Sequence, residues 1–111
     1  MELSQIIKRA KEIRAKYEHL EVTKYGKSWT PTQIAQGFVG DVGDLMKIVM
    51  AKDGIRKIED VDEALSHELA DCLWSILILS DKYNVDIEKA FNKTMDELDT
   101  KIDKQLTNKD K

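Results

Sequence analysis

The chain has 111 residues, 35% of them charged, yet its formal net charge is only −3. This length suits one domain with a single core, near the size at which a helical chain gains from association. The balance of charge excludes the basic field by which proteins hold a nucleic-acid backbone, so nucleic acid is not an expected partner. The first ten residues carry no apolar signal core, and the longest oily run, Cys72 to Leu79, is far too short to cross a bilayer. A cytoplasmic protein with no membrane partner is therefore expected. The single cysteine, Cys72, lies on an apolar face and reads as core packing in a reducing compartment.

Apolar periodicity predicts four helices and no strand. The first is expected from about Leu3 to about Leu20, with Leu3, Ile6, Ile7, Ala10, Ile13 and Tyr17 as its stripe. The stretch from Glu21 to Thr30 contains Gly26, breaks the period and reads as a loop. Thr30, Pro31 and Gln33 form a cap, a first-turn proline and a capping-box partner, so a second helix starts there and continues to about Ala51. Gly37, Gly40 and Gly43 each cost it about 1 kcal/mol relative to alanine. Their spacing of three leaves room for another backbone or a ligand.

A second loop, Lys52 to Asp60, precedes a third helix, for which Asp60 and Glu63 are spaced as a capping box. That helix turns apolar nearly all round through Leu73, Trp74, Ile76, Leu77, Ile78 and Leu79. A second subunit is the expected cover for the face holding Trp74 and Ile78. Asp86 is placed to cap a fourth helix, whose stripe is Phe91, Met95, Leu98 and Ile102. The domain is expected to span residues 1–103, with residues 104–111 as a polar, fraying tail.

Two acidic pairs stand out. Asp41-Val-Gly-Asp44 and Glu68-Leu-Ala-Asp71 each place carboxylates at i and i+3, on one face of a helix. At about 100° per residue, Asp41 falls inside the stripe of Ile34, Phe38, Leu45 and Ile48. Glu68 is flanked on the wheel by Leu65, Cys72, Ser75 and Leu79, and Asp71 by Ser75 and Ile78. Four acids then converge on an interior, where like charges repel and lose solvation. A hard divalent cation with oxygen ligands compensates for that cost.

The two pairs, the glycine before Asp44, Trp29 ahead of the first pair and the Val85-Asp-Ile-Glu-Lys-Ala-Phe91 entry to the last helix together resemble the MazG-like family from about Trp29 to Lys101. The resemblance implies an all-α, four-helix MazG-like bundle completed as a dimer or a dimer of dimers. It also implies a Mg²⁺-dependent pyrophosphohydrolase, with Mn²⁺ as a substitute ion, that converts a (deoxy)nucleoside triphosphate to the monophosphate and pyrophosphate and so clears non-standard or excess nucleotides. On the family's pattern Asp41, Asp44, Glu68 and Asp71 are the metal ligands and catalytic carboxylates. Lys101, where members carry a basic residue, is expected to steady the leaving pyrophosphate, and Trp29, close in sequence to the mouth of the site, to stack on the base. Aspartates stand at 41 and 44 where members carry glutamates, and Thr94 and Leu98 stand where members often carry lysine and asparagine.

Plainer readings stand beside these. Trp29 also suits a core position at a helix entry, Lys101 a solvated surface, and His67 and His19 surface or supporting places. At the level of function, the enzyme competes with a catalytically weakened helical dimer that keeps the fold and binds a nucleotide or a protein as a regulator. Retention of all four acids favours the enzyme, because apolar replacements would otherwise stabilise the interior.

Overall fold

The computed structural model describes residues 1–109, which form four helices and, among those residues, no strand. They are α1 (Leu3–Tyr25), α2 (Pro31–Lys52), α3 (Val61–Lys82) and α4 (Ile87–Lys109).

Local chemistry explains most of the boundaries. Thr30 accepts a hydrogen bond from the Gln33 backbone N–H at 3.2 Å, and the Gln33 side chain accepts from the Thr30 N–H at 2.9 Å, so the expected capping box of α2 is present. Asp86 likewise accepts from the Lys89 N–H at 3.1 Å and starts α4. α1 runs five residues past its expected end and stops at Gly26, whose φ of 81° lets its N–H donate to the Val22 carbonyl. The extra turn holds because Glu21 is buried there with partners, as described below.

The capping box expected at α3 does not form. Asp60 has a left-handed backbone, φ 49° and ψ 46°, and its carboxylate makes no cap bond. A side-chain cap needs an extended backbone at that position, which the approach from the Gly54 turn does not supply. α4 remains helical through Lys109, across residues expected to form a polar tail; residues 110 and 111 lie outside the described residues.

α2 and α3 pack along each other and α1 lies against α3. The core is Ala10, Ile34, Leu77 and Ile78, flanked by Leu3, Ile6, Ile7, Trp74, Leu79 and Ile87. Ile78 is thus covered within the chain and Trp74 half-covered, which corrects the expectation that a second subunit hides this face. The Trp74 indole N–H donates to the Ala10 carbonyl at 3.0 Å, its ring lies 5.7 Å from that of Tyr17, and Ile78 is only 2% exposed. α1 supplies this cover because its stripe of Leu3, Ile6, Ile7 and Ala10 needs the same burial.

α4 reaches the core through Ile87 and otherwise stands clear, leaving Phe91, Met95, Leu98, Ile102 and Leu106 exposed. The molecule is accordingly long, 64 × 39 × 28 Å. Among the described residues no helix is long and apolar enough to cross a membrane.

Candidate metal centre

The long contact between α2 and α3 brings their mid-helix acids together. Asp41, Asp44 and Glu68 each offer a carboxylate oxygen within 4.8 Å of the others. Asp71 is drawn into a second triad, with Glu68 and His67, of the same compactness. His67 Nε2 lies 3.1 Å from Asp71 Oδ2. Asp44 is exposed and has Lys47 as a loose partner at 3.9 Å, while Asp41, Glu68 and Asp71 are half-buried.

Glu68 holds the centre of this arrangement. Its Oε2 is sealed from solvent and has no hydrogen-bond partner. Burial, with the charges of Asp71, Asp41 and Asp44 added, pushes the Glu68 carboxyl above the usual range. Burial and the neighbouring Asp71 and Asp44 raise Asp41 in the same way. Two acids that resist ionisation for want of a counter-charge are what a cation site presents before the ion arrives. Ligands opposite one another on Mg²⁺ are about 4.2 Å apart, given bonds of about 2.1 Å, so the observed spread is closed by small side-chain movements. The all-oxygen donor set of Asp41, Asp44 and Glu68 and the orphaned Glu68 oxygen therefore fit a hard divalent cation. Cys72 is buried beside the acids, and burial with their charge pushes its thiol up, away from the thiolate form a nucleophile needs.

Beside the acids is a cavity of about 180 Å³ lined by Trp29, Ile34, Gly37, Trp74 and Ser75, with Asp41 and Asp71 on its wall and Arg14 at its side. Gly37 faces Trp29: a Cβ there would lie 3.6 Å from the indole. Gly40 and Gly43 face open space, so no backbone makes the close approach their spacing allows. Glu21 organises this side of the cavity. It accepts from the Arg14 guanidinium and, at 2.8 Å, from the Trp29 backbone N–H. Burial alone would raise its pKa, but those two bonds and the charges of Arg14 and Lys82 outweigh it and lower the carboxyl.

The structure thus brings five of the six expected site residues to one place: Asp41, Asp44, Glu68 and Asp71 in the acid cluster, and Trp29 in the adjoining cavity. Lys101 is exposed on α4 and, among the described residues, no α4 side chain lines the cavity and Lys101 forms no ion pair with the acids. Sequence reasoning missed Arg14 and Glu21, although a signal existed. Ala10, Arg14, Tyr17 and Glu21 are spaced by four, three and four, which places both charges on the buried stripe of α1 just as Asp41 lies on that of α2.

The described residues thus form an all-α protein in which paired acids on packed helices, able to hold a metal ion, lie beside an aromatic-lined cavity. Residues 30–105 match the MazG nucleotide pyrophosphohydrolase domain, and the chain belongs to that family. No curated protein and no solved structure matches it. The family generally hydrolyses nucleoside triphosphates and typically uses a divalent metal.

Proposed function

We propose that this protein hydrolyses a (deoxy)nucleoside triphosphate to the monophosphate and pyrophosphate, with Asp41, Asp44, Glu68 and Asp71 holding Mg²⁺, or Mn²⁺ in its place. The observation that carries the reading is the sealed, partnerless Glu68 Oε2 amid three further carboxylates. A bound cation neutralises charge on the phosphate oxygens. The acids do the rest: one of the four orients a water toward phosphorus and takes its proton as the anhydride bond to the leaving pyrophosphate breaks. Burial raises the Asp41 and Glu68 carboxyls in the metal-free protein, and the charge of a bound cation would offset that. Trp29 offers a stacking face to the base in the cavity next to Asp41 and Asp71.

The active form in this reading is a homodimer or a homotetramer. Its support is the exposed stripe of α4, together with Leu69, Leu73 and Ile76 on α3, since apolar surface of that extent rarely stays open on a monomer. Lys101 steadies the pyrophosphate once α4 is packed in the assembly.

Pyrophosphate release from a panel of canonical and modified (deoxy)nucleoside triphosphates with Mg²⁺, run beside Asp71→Asn, tests the reading. Release by the parent protein and not by the variant is expected. No release from any triphosphate, with Mg²⁺ still bound, would select the regulatory dimer instead.

A further inference from the structure

We propose that His67 is a nitrogen ligand of a second divalent-cation position, which shares Glu68 with the all-oxygen position and prefers a borderline ion such as Co²⁺ or Zn²⁺ to Mg²⁺. This inference rests on the reading of the acids as a cation site and extends it to a residue that reading leaves out.

Two overlapping triads can be distinguished within the acid cluster. Asp41, Asp44 and Glu68 form one; His67, Glu68 and Asp71 form the other, and Glu68 alone belongs to both. A carboxylate has two oxygens, so a single glutamate can serve two ions. One of its oxygens, Oε2, is sealed and has no hydrogen-bond partner, so Glu68 has acceptor capacity left over. In the second triad two carboxylates are joined by an imidazole whose Nε2 already lies 3.1 Å from Asp71 Oδ2, the separation of neighbouring ligands on one metal. His67 precedes Glu68 by one residue and Asp71 by four, so the same turn of α3 that aims Asp71 also brings His67 over it.

Donor chemistry sets the ion. Carboxylate and water ligands suit Mg²⁺, whereas an imidazole nitrogen shifts preference toward Co²⁺, Ni²⁺ and Zn²⁺ along the usual stability order. With three protein ligands, part of the coordination shell stays open to water or to a phosphate oxygen. The competing account is an ordinary i, i+4 ion pair between an exposed histidine, 71% accessible, and Asp71. That account gives His67 no influence on metal affinity and no bond to a metal.

Co²⁺ distinguishes the two, because a histidine bound to it shows a strongly shifted, exchangeable imidazole proton in the ¹H NMR spectrum. The chain has two histidines, and the other, His19, is exposed on α1. The full chain is titrated with Co²⁺ and, separately, with Mg²⁺ by calorimetry and NMR, in parallel with His67→Gln. The expected result is one shifted imidazole proton that disappears in the variant, and Co²⁺ affinity falling by at least the roughly tenfold that loss of a lesser, outer-shell partner brings. Mg²⁺ affinity should stay unchanged. Because His67 is on the surface, the variant is expected to fold. Co²⁺ binding of equal strength in both proteins with no shifted imidazole proton would overturn the assignment while leaving the all-oxygen site standing. Failure of the parent protein to bind either ion would overturn both.

Discussion

Glu21 shows how one buried charge can tie a helix end to a cavity wall. It is 8% exposed, as is Arg14, and their contact stands beside the Trp29 N–H bond. Removing Glu21 leaves the buried Arg14 with only the looser contact to Glu18 at 3.6 Å, so Glu21→Ala should cost about 3 kcal/mol in denaturant unfolding, the low end for a broken buried pair. Because Glu21's carboxyl is lowered below its ordinary 4.5 in the folded state, its contribution is complete above that value and is lost as pH falls through the lowered one. The parent protein should therefore lose stability in that acid window, and Glu21→Gln should show a flatter acid limb. Asp41 and Glu68 act in the opposite sense. Their raised carboxyls make the ionised pair a burden on the metal-free protein at neutral pH. Asp41→Asn or Glu68→Gln should raise the metal-free Tm and abolish the increment that Mg²⁺ confers by binding the folded state. An unchanged Mg²⁺ response in both variants would remove the cation site.

Among the helices, two starts that look alike in sequence behave differently. Thr30 makes a reciprocal capping box, whereas Asp60 adopts φ 49° and caps nothing with its side chain. Thr30→Ala should cost about 1 kcal/mol. Asp60→Gly should cost nothing, and should gain up to roughly 1 kcal/mol if relief at positive φ exceeds the added freedom of the unfolded chain. Thermal or urea unfolding of the two variants checks the contrast; equal losses would show that Asp60 is a working cap. The sequence could not separate them because a capping box is a pattern of residue types, while its operation depends on the backbone that the preceding loop imposes. Helix interiors were far more legible. The stripes of α1 and α2 predicted Ala10, Ile34 and Ile48 as buried, and all three are.

For the molecule as a whole, α4 is the unresolved account. Five large apolar residues, from Phe91 to Leu106, recur at helical spacing and lie 40–58% exposed. A helix with this pattern gains its stability from packing rather than from propensity. Sedimentation or solution scattering should accordingly give a dimer or tetramer, and Phe91→Glu with Leu98→Glu should shift it to monomer and lower Tm together. A parent protein that sediments as a monomer would sink the assembly reading and with it the role given to Lys101.

The sequence by itself determined the class of fold, since a period of 3.6 with clear stops admits little but helices. It also singled out four acids, because charges inside apolar stripes are detectable one helix at a time. Which surfaces meet is a property of pairs of helices, and no single stripe encodes it. Only the tertiary structure decided that α1 covers Ile78 and half-covers Trp74, that Glu68 is shared between two triads, that His67 stands over Asp71, and that Arg14 and Glu21 close one side of the cavity. Each of these depends on how α1 and α2 are docked on α3 or on the exact rotation of a helix, and the geometry of docking is set by the fit of all the buried side chains together.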